Sequence, residues 1–377
     1  MISNNLSNPI RILHVVSGMS TGGLETMIMN WYRNIDRNVI QFDFLVHHSE
    51  RCFYDDEIED YGGRIYRLTF SNDHNIIKYL RDLNSFFAKH SKDYKVIHGH
   101  HSSYGIFYLK YAKKYGIPTR ISHSHIASFS KNKTGFVLFL LSRGYKKYAN
   151  IHFACSHAAG KYMYGNNNYQ VINNGIDTYR FRFSLDARQQ IREHMHLENK
   201  SVCIHVGRFH DQKNHSFLID VFGEYQKINP DSVLLLIGGG PLQSMIKAKV
   251  NKMGMSESVH FLNKIDNVYD YLSAADIFIF PSLYEGLPLT LVEAQASGLP
   301  ILCSSNVTHE TKLTESYYEL SLNETSQTWA LKIVDIIKES TSRDASNQIV
   351  KEACFDCKDI VEMMSKKYLQ YHQESDL

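Results

Sequence analysis

The chain has 377 residues, 43% hydrophobic and 21% charged, a length and composition that suit two globular domains. Its 41 Lys and Arg against 39 Asp and Glu leave a formal net charge of +2, and with no basic stripe this argues against a dedicated nucleic-acid binder. Six scattered cysteines in mostly apolar surroundings read as reduced core residues of a cytosolic protein.

The first segment, MISNNLSNPIRILHVV, has no basic region followed by a long apolar stretch, so a cytoplasmic location is expected. Residues 11–16, RILHVV, have the short apolar run of a buried strand, ended by Ser17 and Gly18. After Gly22 and Gly23 the period changes: Leu24, Met27, Ile28, Trp31, Tyr32 and Ile35 recur at helical spacing. The chain then offers a strand at FDFLV, a helix near 74–90, a strand at KVIHGH, a helix near 104–115 and a strand at TRISHSH. The alternation pauses over the polar stretch 173–200, where the boundary between domains is expected. It restarts with SVCIHVGRF, a helix from about 214, SVLLLIGGG, a helix from about 241, VHFL, a short helix near 266–274, IFIFPS, a helix from Pro288, and PILCSS. Strands alternating with helices predict parallel, doubly wound sheets. The expected division is 1–180, 181–345 and a helical tail, 346–377, that packs back on the first domain.

Gly18, Gly22 and Gly23 follow a strand as G-x-x-x-G-G rather than G-x-G-x-x-G. The second strand ends in His47 and His48 where an acid would hold an adenosine ribose, so NAD is not expected. What is left is bare backbone ahead of a helix, suited to a phosphate or a sugar, or simply a tight turn. In the second half, HVGRFHDQKN puts Arg208 and Lys213 just past a strand end, where open α/β sheets bind ligands and two cations can clamp a pyrophosphate. GGGPL, residues 238–242 with Gly239 as its middle glycine, adds a second glycine loop.

In PSLYEGLPLTLVEAQASGLP, residues 281–300, a buried strand leads into a loop and then a helix whose first position suits Pro288. The amides of Leu289, Thr290 and Leu291 then form an anion site beside Glu285, with Glu293 about 7.5 Å further along the helix. A nucleoside diphosphate sugar fits this arrangement: ribose at Glu293, pyrophosphate at the amides with Arg208 and Lys213, and hexose at Glu285.

The segments GRFHDQKN, GGGPL and FPSLYEGLPLTLVEAQASGLPIL resemble the retaining glycosyltransferases of family 4, and in particular bacterial capsular and exopolysaccharide transferases. SGMSTGGLETMIMN and RISHSH extend the resemblance over nearly the whole chain. It implies the GT-B fold, with two Rossmann-like domains of parallel sheet facing a central cleft. The implied donor is a nucleotide sugar, taken as a UDP-sugar, and the implied acceptor a glycan or lipid-linked sugar. Glu285 would contact the donor sugar, Glu293 the ribose, and Arg208 and Lys213 the diphosphate. Gly22 and Gly23 would meet the donor phosphates or the acceptor, and HSH would supply His125 to the sugar. Asn263 departs from the group's usual glycine, which bears on the choice of base.

His98, His100, His101, His123 and His125 crowd two strand ends, yet no carboxylate stands at zinc-hydrolase spacing, so no metal is expected. The resemblance likewise implies metal-free catalysis, with no cofactor beyond the donor. Cys354 and Cys357, a single C-x-x-C, read as two helix positions. Residues 130–148 place Lys131, Lys133, Arg143, Lys146 and Lys147 around the apolar run 136–141. That composition suits either peripheral contact with an anionic membrane or a core helix with solvated ends. Against the transferase stand two other classes, a non-catalytic sugar-nucleotide-binding subunit and an epimerase or hydrolase on the same scaffold.

Overall fold

The computed structural model describes residues 8–68, 75–100, 104–126, 133–339 and 342–375, without the side chains of 133–139 and 143. The chain divides into two units, Met1–Gly175 with Cys357–Leu377, and Ile176–Asp356.

In the first unit the strands are β1 (Ile10–Val16), β2 (Ile40–Val46), β3 (Ile65–Arg67), β4 (Val96–Gly99), β5 (Thr119–Ser124), β6 (Ile151–Ala154) and β7 (Gln170–Val171). They form one sheet of order β3-β2-β1-β4-β5-β6-β7, and every neighbouring pair is parallel. Because side chains alternate across a strand, β1 feeds two cores. Ile12 and Val16 pack with Met27, Trp31 and Phe44, while Leu13 and Val15 pack with Leu83, Phe87 and Leu109. The final helix, Cys357–Glu374, lays Ile360, Val361, Met364 and Tyr368 on the first of these cores.

The second unit has β8 (Ser201–Val206), β9 (Ser232–Ile237), β10 (Val259–Leu262), β11 (Ile277–Phe280), β12 (Ile301–Ser304) and β13 (Tyr317–Leu320). Their order is β10-β9-β8-β11-β12-β13, again all parallel. Leu234 and Leu236 of β9 face one core, and Val233, Leu235 and Ile237 face the other. In both sheets the first strand lies between the second and the fourth, so the winding reverses beside it. The crevice outside the carboxyl ends at that reversal is the ligand position of open α/β sheets. It falls after β1 and β4 in one unit and after β8 and β11 in the other.

Some expectations change. The polar stretch 173–200 contains a helix, Leu185–His194, started by Ser184, whose side-chain oxygen accepts from the Ala187 amide. Arg188 and Arg192 of that helix hold Asp276 at 2.6 Å each and donate to the carbonyls that end the helix Val268–Ala274. Polar composition there marks a helix fixed by ion pairs rather than by an apolar stripe. Cys354 and Cys357 do not share a helix: Cys354 has φ +62° at a break, and Cys357 opens the final helix.

Candidate active site

The C-terminal unit brings Arg208, Lys213, Glu285, Leu289, Thr290 and Glu293 to the ends of β8 and β11. After β8 the chain runs through Gly207 and Arg208 into a short turn, Asp211–Lys213, and Asn214 takes the left-handed conformation before the helix His215–Ile228. This loop is fastened to the loop after β11, because the Leu283 amide donates to the Gln212 carbonyl (2.8 Å) and Gln212 Nε2 to the Tyr284 carbonyl (2.9 Å). The fastening brings Lys213 Nζ to 2.6 Å from Glu285 Oε1, a pair with both side chains mostly covered. Lys213 also lies over the Phe280 ring, 4.5 Å from its centroid. Arg208 is exposed and has no ion-pair partner among the described residues. One cation is thus committed to a carboxylate and the other is open to an anion.

The glycines after β9 explain how the β8 loop is held. Gly238 and Gly240 have positive φ, and a Cβ on them would lie 2.2 Å from the Gly207 carbonyl oxygen and 2.5 Å from that of Phe209. Phe209 N donates to the Gly239 carbonyl at 3.0 Å. Gly239 itself has open space where a Cβ would stand, so its backbone is approachable from outside.

Pro288 sits one place earlier than expected, as the N-cap of the helix Leu289–Ala296. The Leu291 amide is not free, since it donates to the Pro288 carbonyl at 3.0 Å. The anion-facing end therefore consists of the Leu289 and Thr290 amides. Glu293, one turn on, is half-buried, and its carboxyl has no hydrogen-bond or ion-pair partner among the described residues. Desolvation lifts its pKa to about 7.

Sequence reading missed two hydroxyls here: Ser282 Oγ and Thr290 Oγ1 are buried without a hydrogen-bond partner. Buried polar atoms are normally paired, so such groups flanking a loop suit a ligand. Beneath the loop, His205 Nδ1 donates to the Ile279 carbonyl at 2.8 Å and ties β8 to β11, and a Cβ on Gly207 would lie 2.9 Å from its other nitrogen. Burial depresses the pKa of His205 well below normal and that of His215 to about 4. Asn263 bonds to Gln243 at 3.4 Å, at the end of β10.

In the N-terminal unit, Gly22 is the N-cap of the helix Gly23–Asn34 and Gly23 its first residue. The Glu25 carboxylate folds back so that a Cβ on Gly22 would lie 2.1 Å from Oε2, and nothing stands near Gly23. His125 follows β5. Its Nε2 is 3.0 Å from His100 Nδ1, and His100 Nε2 is 3.0 Å from His14 Nδ1. His98 links His123 (3.1 Å) to the Tyr368 hydroxyl (2.6 Å). Burial holds all five imidazoles far below their usual pKa, His14 and His125 at about 3. His14 was not singled out by sequence because it stands inside the apolar run of β1. His101, Lys131 and the side chains of Lys133, 136–139 and Arg143 lie outside the described residues. No helix among the described residues is long and apolar enough to cross a membrane.

Residues 186–353 match the family "Glycosyl transferases group 1", and residues 21–180 match "Glycosyltransferase Family 4". The chain is 34% identical over 337 residues to a putative glycosyltransferase, EpsF, of Bacillus subtilis (strain 168), covering 86% of this chain and 87% of that protein. It is 25% identical over 309 residues to the UDP-Gal:alpha-D-GlcNAc-diphosphoundecaprenol alpha-1,3-galactosyltransferase of Escherichia coli, covering 78% and 79%. Among solved structures, Anabaena Alr3699/HepE in complex with UDP superposes with a TM-score of 0.77 at 17% identity, over 96% of this chain and all of that one, which bears on the fold. The chain belongs to glycosyltransferase family 4 and is a glycosyltransferase of the GT-B fold.

Proposed function

We propose that this glycosyltransferase is a retaining enzyme that moves a hexose or N-acetylhexosamine from a UDP-sugar to a glycan or lipid-linked acceptor in surface polysaccharide synthesis. The observation that carries the reading is the arrangement at the β8 and β11 ends. An open cation at Arg208, the covered Lys213–Glu285 pair and the Leu289 and Thr290 amides lie on adjoining loops, with a partnerless carboxyl at Glu293 one turn beyond. A diphosphate meets Arg208, the amides and the approachable backbone at Gly239. Lys213 shares its charge between Glu285 and the incoming phosphate. Glu293 takes the ribose hydroxyls, whose donated hydrogen bonds favour the ionised carboxylate, and Glu285 takes the sugar. Departure of UDP builds negative charge on the β-phosphate, which the cations and the helix amides stabilise without a divalent ion. His125 and the Gly22–Gly23 loop are the contribution of the N-terminal unit to the sugar and acceptor.

The donor and acceptor classes draw support from relatives: the E. coli protein is named for UDP-Gal and a diphosphoundecaprenol-linked acceptor, and HepE was solved with UDP. The test is incubation with a panel of UDP-hexoses and UDP-N-acetylhexosamines and an undecaprenyl-diphosphate-linked sugar, with the product's anomeric configuration read by NMR. Transfer with retention is expected. Binding without turnover would point to an inactive subunit, and free altered sugar to an epimerase or hydrolase.

A further inference from the structure

The four buried histidines behind His125 carry information about the proton on that residue. His14, His98, His100 and His123 are buried on one face of the sheet, enclosed by Trp31, Phe42, Phe44, Phe153 and Tyr368. Some adjacent rings stack nearly parallel, 12° between His14 and His100 and 15° between His98 and His123, and others are tilted, 34° between His100 and His125. Groups of three, His14/His98/His100 and His100/His123/His125, bring ring nitrogens within 4.8 Å of one another, which raises the question of a metal. Both groups are all-imidazole, with no carboxylate or thiolate to offset a divalent charge inside an apolar shell. The ring-to-ring links of 3.0–3.1 Å are those of N–H···N hydrogen bonds.

A neutral imidazole has one N–H and one lone pair. The chain His14–His100–His125 therefore has three N–H groups and two links, so one N–H is left at an end nitrogen. The choices are His14 Nε2 and His125 Nδ1, both buried and without a partner. The His14 ring is fully buried against Phe42 and Phe44, where an N–H can reach neither an acceptor nor water, whereas the His125 ring just past β5 is only half-buried and is the one a ligand can approach. Orphaned buried N–H groups are the rarer defect, so the lone pair belongs on His14 Nε2. His14 Nδ1–H then donates to His100 Nε2, His100 Nδ1–H donates to His125 Nε2, and the unused proton is on His125 Nδ1. In the second chain the same rule puts the lone pair on buried His123 Nε2, so His123 Nδ1–H donates to His98 Nε2 and His98 Nδ1–H to the Tyr368 oxygen.

We propose that His14 and His100 are positioning residues that hold His125 in its Nδ1–H tautomer, so that it meets the substrate as a hydrogen-bond donor and not as a base. This rests on the reading of His125 as the histidine that faces the sugar. The matching ligand group is an oxygen lone pair, that of a sugar hydroxyl or an N-acetyl carbonyl. No proton changes hands at His125.

The test is long-range 1H–15N correlation on the full chain labelled with 15N-histidine, with His125 assigned by the signal lost in His125→Asn. The expected result is Nδ1–H with Nε2 as acceptor in the wild type. His100→Leu should convert His125 at least partly to Nε2–H and lower turnover about tenfold, whereas His98→Leu should leave the His125 tautomer unchanged. Nε2–H or a protonated ring in the wild type overturns the proposal, and needs no variant to fold. So does a His125 tautomer that ignores loss of His100 in a folded variant, or metal at one equivalent per chain with metal-shifted nitrogens. Wild-type turnover in His125→Asn would instead remove the assignment of His125 to the sugar, while the tautomer measurement still decides the relay.

Discussion

The two units repeat one topology, yet their sheets present opposite chemistry where the winding reverses. At β1, β4 and β5 the first unit gathers five imidazoles, four buried and His125 half-buried, that desolvation keeps neutral and that bond mainly to one another. At β8 and β11 the second unit gathers charge: Lys213 with Glu285, an open Arg208, and a Glu293 carboxyl with no partner. The strand order decides where a site can be, and the residues just past the strands decide what it can hold. One sheet end is a neutral, hydrogen-bonded histidine cluster and the other an ionic site with an open cation and a partnerless carboxyl.

Acid should separate the units most strongly. A histidine kept neutral in the fold but free to protonate when unfolded stabilises the protein above its unfolded pKa of about 6.5, and that stability is lost as pH falls towards the folded value. Each such group costs about 1.4 kcal/mol per pH unit below 6.5. With five in one cluster, the N-terminal unit should lose stability steeply as pH falls from 6.5 towards 5. The C-terminal unit has His205, His215 and His260 shifted in the same direction. Hydrogen exchange by mass spectrometry across pH 7 to 5 should show the first unit opening earlier. Simultaneous opening would erase the contrast.

Glu285→Gln should lower turnover by more than about tenfold if Glu285 makes the proposed polar contact to the sugar, which would strengthen in the transition state. UDP affinity should hold or rise, because Lys213 no longer has a carboxylate competing for its charge. Unchanged turnover would reduce Glu285 to a clamp on the loop.

Glu293 has the opposite pH sign to the histidines. Its folded pKa of about 7 lies above the usual carboxyl value of 4.5, so the cost of ionising it in the fold grows as pH rises from 4.5 through 7. Glu293→Gln should therefore raise Tm at pH 8, by the equivalent of about 1–3 kcal/mol, and little at pH 4.5. The same variant should weaken both UDP and uridine binding. A gain in stability with no loss of affinity would leave Glu293 without a ligand role.

The smallest effect concerns the helix Lys133–Tyr148, where Leu140 is exposed, Tyr145 is buried and Lys146 and Lys147 stand in the last turn. If this helix rests on an anionic membrane rather than in the core, sedimentation with anionic vesicles should occur at low salt, fade as salt rises, and weaken in a Lys146→Gln, Lys147→Gln double variant with UDP affinity intact. No sedimentation at low salt would remove the membrane contact.

The parts of this contrast legible in sequence were those written locally. Apolar runs such as RILHVV and SVLLLI announced β1 and β9, and the eight-residue separation of Glu285 and Glu293 marked the ionic edge. Short edge strands such as Ile65–Arg67 and Gln170–Val171 have too few residues and too little burial to leave a pattern. The helix Leu185–His194 is too polar to show a stripe, although Ser184 three places before Ala187 was a usable cap signal. The Lys213–Glu285 pair joins residues distant in sequence through loop-to-loop hydrogen bonds, and His14 meets His98 only through the β1–β4 register. Neither can be read without the fold.

The most direct test of the ionic edge is calorimetric titration of UDP and uridine into the wild type, Arg208→Ala and Lys213→Ala. Charge-assisted contacts to phosphate are strong and the proposed site holds the nucleoside elsewhere, so each variant should lose about tenfold or more in UDP affinity, Arg208→Ala the more because Arg208 has no carboxylate to share, with uridine affinity unchanged. Equal losses for UDP and uridine, or no loss for either, would contradict the placement of the diphosphate at the ends of β8 and β11.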